Sequence, residues 1–310
     1  MMEGRQRLVR HIVQVEQFTR GWVEHLFNHA DQMRDPGPDE RLVGNSILAT
    51  LFYEPSTRTR LSFESAMLRL GGHIVSTENA REFSSAIKGE SVEDTVRIVA
   101  GYSDAIVIRH HEQGAAARAA RVSPVPIING GDGPGEHPTQ ALLDLYTIQN
   151  ELGTIDGLNI ALVGDLRYGR AARSLALLLA MANDTTVVFV APPAVPMGSD
   201  VKDKLTGAGV RWVDETDLNA VLPEADVVYQ TRIQRERFAT PEAAMAAEGH
   251  YQFTAESMSR MKEHAILLHP LPRVDEIAPD VDSDPRAAYF RQARNGVFIR
   301  MALLKMLIDR

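Results

Sequence analysis

Cysteine is absent from all 310 residues, which excludes disulfides, thiolate-held zinc and a cysteine nucleophile. Long apolar runs are missing as well. Nothing approaches the roughly 18 uninterrupted apolar residues that a membrane span needs, and the opening MMEGRQRLVRHIVQVEQF lacks the apolar core of a signal peptide. These two gaps lead us to expect a cytoplasmic protein. Basic charge is also scarce, with 33 lysines and arginines against 41 acidic residues and a net charge of −8. A general nucleic-acid or anionic-membrane surface is therefore not expected, and the basic residues that matter must act locally. What is present is 44% hydrophobic content, which over this length suits two cores better than one.

Short aliphatic runs alternate with helical patterns. SILATLF is followed by a helix from Ser56 to Leu70 with apolar positions at Leu61, Met67, Leu68 and Leu70, then IVST, a helix after Ser91, DAIVIR and VPIIN. The alternation resumes with NIALVG, a helix through ARSLALLLAMA, TTVVFV, ADVVYQ, AILLH and an amphipathic end. Such alternation predicts α/β architecture: two doubly wound parallel-sheet domains joined by interdomain helices. The expected division is 1–137 plus 289–310 for one domain and 138–288 for the other. A helix near 139–152 bridges them and the terminal helix returns to the first. Asp35-Pro36-Gly37-Pro38 and Ala191-Pro192-Pro193 mark turns.

Polar clusters follow these strands. Glu54-Pro55-Ser56-Thr57-Arg58-Thr59-Arg60 opens a helix, where unsatisfied N–H groups, hydroxyls and a guanidinium can hold an anion together; the alternative is an ordinary N-cap with surface arginines. Arg109 ends DAIVIR, and His137-Pro138-Thr139-Gln140 follows VPIIN and a glycine-rich turn. Either can contact a ligand at a strand's carboxyl end, or be a solvated arginine and a capping histidine. Lys88 precedes a helix capped by Ser91, with Asp94 at the capping-box position. Gly164 to Gly169 with Arg170 has the outline of a phosphate loop, but Gly169-Arg170-Ala171 replaces Gly-Lys-Ser/Thr and the dinucleotide spacing is missing. Arg232 and Gln234 follow ADVVYQ, and His269-Pro270-Leu271-Pro272 follows AILLH. His25 and His29 lie four apart on a predicted helix without a carboxylate pattern, so no metal site is expected; His110-His111 reads as loop surface.

From about His11 to the terminal helix these motifs, in this order, resemble the aspartate and ornithine carbamoyltransferase family. EPSTRTR followed by LSFESA, His137-Pro138-Thr139-Gln140 and His269-Pro270-Leu271-Pro272 are the most specific of them. Arg232, Gln234 and the latter motif are similar to the aspartate enzymes, whereas the ornithine enzymes' Ser-Met-Gly is missing. The resemblance implies transfer of the carbamoyl group of carbamoyl phosphate to L-aspartate in de novo pyrimidine biosynthesis, giving N-carbamoyl-L-aspartate and phosphate, with no cofactor or metal. It places carbamoyl phosphate on Ser56, Thr57, Arg58, Thr59, Arg109, His137, Gln140, Pro270 and Leu271, helped by Ser84 and Lys88 of a neighbouring subunit. Among these, Arg58, Thr59, Arg109 and His137 take the catalytic roles. Aspartate falls to Lys88, Arg170, Arg232, Gln234 and Leu271. The resemblance further implies a homotrimer with shared active sites, domain closure and a cis bond at Leu271-Pro272. Additional regulatory or pathway-enzyme subunits, and the group that takes the amine proton, are left open. The competing readings are a carbamoyltransferase for another amine, and a non-catalytic homologue serving as a structural subunit, which would show erosion of Ser56 to Thr59, Lys88 or His137.

Overall fold

A computed structural model describes residues 9–34, 42–80, 89–233 and 251–309. The chain forms two compact units, one of residues 1–142 and 296–310, the other of 143–295. The cuts fall inside helices, a few residues past the boundaries expected at 137/138 and 288/289.

In the first unit, β1 (Ile47–Phe52), β2 (His73–Glu78), β3 (Ala105–His110) and β4 (Ile127–Asp132) form one sheet in the order β2-β1-β3-β4, all parallel. β1 is buried along almost its whole length because helices cover the sheet, which is why ILATLF is a continuous apolar run and not an alternating one. The helices here are α1 (Arg20–Gln32), α2 (Thr57–Arg69), α3 (Val92–Val99) and α4 (Ala115–Val122). Ala49, Leu51, Val96, Ile106, Ile108, Ala116 and Ile127 belong to one buried cluster beneath α3 and α4. On α2 the buried face runs through Thr59, Phe63, Ala66 and Met67, spacings of four, three and one that make a single helical stripe. Leu61 and Leu68 therefore lie outside it, 50% and 55% exposed, which corrects the apolar face expected from the sequence. Neither α4 nor the helix α1 start was marked by the apolar alternation alone; α4 is an alanine-rich segment with little contrast between its faces.

Helix α5 (Pro138–Leu152) carries the chain into the second unit and α10 (Tyr289–Ile308) carries it back. Between them, β5 (Asn159–Val163), β6 (Thr186–Val190), β7 (Arg211–Glu215), β8 (Val227–Gln230) and β9 (Ile266–Leu268) form a parallel sheet in the order β7-β6-β5-β8-β9. α6 (Arg170–Leu178), α7 (Ser199–Gly207), α8 (Leu218–Val221) and α9 (Ala255–Arg260) supply crossovers and covering turns. β7, RWVDE, was not legible as a strand: it is an edge strand, largely open to solvent, so it needs no apolar run. No described helix is long and apolar enough to cross a membrane.

Each sheet reverses its winding direction next to its first strand, between β1 and β3 and between β5 and β8. Loops leaving strand ends on either side of such a switch diverge and open a crevice for ligands. In the second unit the two strand ends approach closely: Thr231 N–H donates to Val163 O at 2.8 Å. Gly164, at φ +114°, lies so near that a Cβ there would sit 2.4 Å from the Thr231 carbonyl oxygen. Both the backbone conformation and the space require glycine. Gly164→Ala is expected to lower stability by about 1–3 kcal/mol, the usual cost of a strained backbone, or more through the clash. A urea midpoint equal to that of the parent chain would refute this.

Candidate active site

The first switch point gathers the anion-site residues. Ser56 precedes α2 in extended conformation, φ −161°, yet its side chain makes no capping hydrogen bond. The plain N-cap reading is thereby set aside: the first-turn amides of Thr57, Arg58 and Thr59 are not consumed by Ser56, and its hydroxyl joins the donors available to a ligand. The helical turn then separates the arginines and threonines. Thr59 points inward, 6% exposed, while Thr57 and Arg58 stay open. Arg58 keeps contact with solvent, but nearby protein atoms crowd it enough that desolvation lowers its pKa from the ordinary arginine value. It remains a cation throughout the working pH range.

Thr59 Oγ1 lies 3.4 Å from His137 Nε2, which joins the start of α2 to the residue preceding α5. His137 is buried, and its carbonyl accepts the N–H groups of Gln140 and Ala141, so the imidazole is set by the first turn of α5. Gln140 is half-buried on that turn. Arg109, near the end of β3, donates to Gly130 O at 3.2 Å and pairs with Glu54 at 3.5 Å. Arg109 and Thr59 thus converge on Gly130, where an added Cβ would come 3.5 Å from the Thr59 methyl and 3.3 Å from Val107. Glu54 was read only as part of the motif string. A carboxylate on the guanidinium of an anion site means an incoming ligand must compete with it, and its place just before Pro55 was the signal available.

The glycine-rich turn after β4 packs instead of cradling. Asp132, 6% exposed, accepts Glu136 N–H on one oxygen at 2.9 Å and Gly114 N–H on the other at 2.8 Å. Gly133, at φ +52°, donates to His110 O at 2.7 Å, and a Cβ on it would meet the His111 carbonyl oxygen at 2.2 Å. Glu136 in turn accepts Val15 N–H at 2.6 Å. His110 belongs to β3 and is buried, its ring 4.7 Å from that of Tyr53, which corrects its assignment to loop surface. Burial raises the Tyr53 pKa; a Thr95 hydrogen bond lowers it and Glu90 raises it, and the net rise keeps the phenol neutral. The His25 and His29 rings pack edge to face at 4.3 Å on α1.

In the second unit Arg170 is the first residue of α6, after the turn that leaves β5; Arg232 lies two residues past β8; Pro270 and Leu271 follow β9. These are the three neighbouring strands β5, β8 and β9. Arg170, Arg232, Pro270 and Leu271 are all half-buried. Leu271 sits in the left-handed region, φ 55°, and the Leu271–Pro272 peptide is cis, as the resemblance implies. Ser84, Lys88 and Gln234 lie outside the described residues, as does the turn at Asp35-Pro36-Gly37-Pro38.

Asp132 is the joint on which the His137 turn and the turn after Arg109 both hang. Replacing Asp132 with alanine leaves two part-buried amides without their acceptor, at about 1 kcal/mol each. The expected outcome is a lower urea midpoint together with weaker binding of inorganic phosphate, read by calorimetry; unchanged values of both would show that the turns hold without it.

Comparison with known proteins points the same way as the geometry. The family model described as "Aspartate/ornithine carbamoyltransferase, carbamoyl-P binding domain" matches residues 10–150, and the "Asp/Orn binding domain" matches residues 156–307. The chain is 56% identical over 301 residues to an Arabidopsis thaliana protein named aspartate carbamoyltransferase, chloroplastic, covering 96% of this chain and 77% of that one. The catalytic subunit of M. jannaschii aspartate transcarbamoylase superposes with a TM-score of 0.91 at 43% identity, covering 97% of this chain and 98% of that one. A Trypanosoma cruzi aspartate transcarbamoylase, in complex with carbamoyl phosphate and aspartate, superposes at 0.90 with 43% identity over 96% and 95% of the two chains. The chain belongs to the aspartate/ornithine carbamoyltransferase family.

Proposed function

We propose that this chain transfers the carbamoyl group of carbamoyl phosphate to the amine of L-aspartate, forming N-carbamoyl-L-aspartate and phosphate, as a step of de novo pyrimidine biosynthesis. The observation that carries this reading is the meeting of Thr59, His137 and Arg109 beside a helix start that Ser56 does not cap. The T. cruzi relative, solved with carbamoyl phosphate and aspartate, supports the choice of both substrates.

Ser56, Thr57 and Thr59, with the amides of their turn, offer hydrogen bonds to the phosphate, and Arg58 and Arg109 supply charge. Thr59, Arg109 and His137 take the carbamoyl oxygen, and Gln140 the carbamoyl amide. As the amine nitrogen bonds to the carbamoyl carbon, negative charge builds on that oxygen, and donors already in place stabilise it without reorganising. The carbon–oxygen bond to phosphate then breaks, and the amine proton passes to the departing phosphate or to His137. No side-chain nucleophile is required; holding the reactants in register supplies much of the rate. Arg170 and Arg232 suit the two carboxylates of aspartate because a planar guanidinium grips a carboxylate with two parallel hydrogen bonds. Lys88 and Ser84 from a neighbouring copy and Gln234 complete the set.

The same reading calls for a homotrimer. A surface groove of about 430 Å³ runs along α2 and β2, lined by Leu61, Glu64, Ser65, Leu68, Arg69 and Ile74. Val75 on edge strand β2 adds a further 44%-exposed aliphatic. The exposed Leu61, Leu68 and Val75 support a subunit contact on this face. The Arabidopsis relative is named chloroplastic; for this chain a cytoplasmic setting is proposed, since no stretch is apolar enough for a membrane span.

Two measurements test the reading. With carbamoyl phosphate and equal concentrations of L-aspartate or L-ornithine, the purified chain should yield product from aspartate only; product from ornithine would place the acceptor assignment in error, and product from neither would sink the activity. Arg58→Gln should reduce kcat by about 10²–10³, the usual loss for one transition-state donor, while KM for either substrate changes far less. A loss confined to KM would remove Arg58 from the departing phosphate.

A further inference from the structure

The loop after β9 is held by a chain of buried polar groups to which neither the resemblance nor the mechanism above gives a role. His269 is 2% exposed. Its Nδ1 receives the Leu271 N–H at 2.7 Å and its Nε2 stands 2.8 Å from a Glu276 oxygen. A main-chain N–H can only donate, so Nδ1 carries no proton; Nε2 faces a carboxylate and must carry one. The imidazole is therefore the neutral Nε2–H tautomer. Burial pushes the Glu276 carboxyl up, but the His269 contact and the Val274 N–H, 3.0 Å from its other oxygen, outweigh that and leave its pKa lowered. The main-chain N–H of His269 donates to Gln292 Oε1 at 2.9 Å, Gln292 Nε2 donates to Asp144 at 2.6 Å, and Tyr229 OH donates to the second Asp144 oxygen at 2.7 Å. Gln292, Asp144 and Tyr229 are all buried.

We propose that His269 is a positioning residue for the amino-acid substrate: as the neutral Nε2–H tautomer it locks the main chain at Leu271, so that the Pro270 and Leu271 carbonyls are presented to N–H donors of the ligand. This rests on the function proposed above. Leucine and proline have no polar side-chain atom, proline has no N–H, and the Leu271 N–H is already given to His269. Only the two carbonyl oxygens are left to make a polar contact, and acceptors suit the amine of aspartate and the amide of the carbamoyl group. Their direction follows from backbone angles at a residue in the left-handed region, which leucine does not hold unaided. His269 supplies the restraint from inside the loop; Glu276 fixes its ring and Gln292 its main chain.

The test uses the full chain. Long-range nitrogen–proton spectra of protein labelled in its histidine rings, assigned by the signal lost in His269→Asn, should show His269 as the Nε2–H tautomer; an Nδ1–H or doubly protonated ring overturns the proposal. His269→Ala should raise KM for aspartate about tenfold, the equivalent of one hydrogen bond, with inhibition by inorganic phosphate unchanged. His269→Asn, whose side-chain oxygen can take the place of Nδ1, should recover most of that loss. Equal weakening towards aspartate and phosphate, or no change in either, overturns the proposal. Should the alanine variant fail to fold, the spectrum and the asparagine variant decide: a KM far above that of the parent in a folded His269→Asn counts against it. A parent chain that carbamoylates nothing would defeat the functional reading, whereas the spectrum would still report on the His269–Leu271 bond.

Discussion

Parallel strands cannot be joined by a hairpin, so each connection must cross back over the sheet, and every strand in a sheet ends on the same edge. Both sheets here are wholly parallel, and each begins with a strand that ends up inside, β1 and β5, flanked on both sides by later strands. The residues at stake follow from that arrangement. Ser56 to Thr59 leave β1, Arg109 is the last residue but one of β3 and His137 follows β4; Arg170 leaves β5, Arg232 leaves β8 and Leu271 leaves β9. The fold does not choose the chemistry. It concentrates strand ends, and thus helix starts with unsatisfied N–H groups, where chemistry can be placed.

Charge is distributed to the same end. A chain with net charge −8 would repel an anionic ligand if its acids were spread evenly. Several of them are instead spent on amides at loop bases: Asp132 on Glu136 and Gly114, Asp226 on Asn159, Asp165 on Tyr168. Asp226 shows the balance. Burial pushes its carboxyl up, but the Asn159 amide, Lys262 and His264 more than compensate, and its pKa ends lowered. Glu54 is placed differently, on Arg109 itself. There it holds the guanidinium in position while the ligand is absent, at the cost of competing with it.

The sequence was most legible where a central strand meets a motif. ILATLF, NIALV and VVYQ are apolar because they are covered on both faces, and the polar strings after them could only be loops at the sheet edge. Legibility failed where burial is one-sided. β7 contributes five residues to the sheet with Trp212 and Glu215 only partly covered, so its pattern was lost among polar neighbours. Leu61 and Leu68 were read with Met67 and Leu70 as apolar positions of one helix, but periodicity reports that a face is apolar, not what covers it. His110 next to His111 looked like surface, but His110 is the last residue of β3 and its ring is buried against Tyr53, while the His111 ring stacks on it and stays half open. The tethers within each unit, Asp132 in the first and Glu276 in the second, carry no signature a single sequence exposes, since an acid that accepts main-chain N–H groups looks like any other acid in a turn.

Leu271 shows how such a tether differs from mere permissiveness. Among the described residues the non-glycine positions of positive φ are Asn79, Asp184 and Leu271. Asn and Asp tolerate that region through local hydrogen bonds, but leucine gains nothing of the kind. A glycine at 271 would meet the backbone requirement more cheaply and would leave the loop free to leave it. Leucine is retained with its side chain packed against the buried cluster that includes Phe253, Leu267 and Ile277, and its N–H on His269. Strain persists only where the surroundings fix it from several sides. Here the side chain is held by apolar packing and the main chain by an imidazole whose own tautomer is set by Glu276. The conformation is thus determined before any ligand arrives, and none of the binding energy need be used to create it.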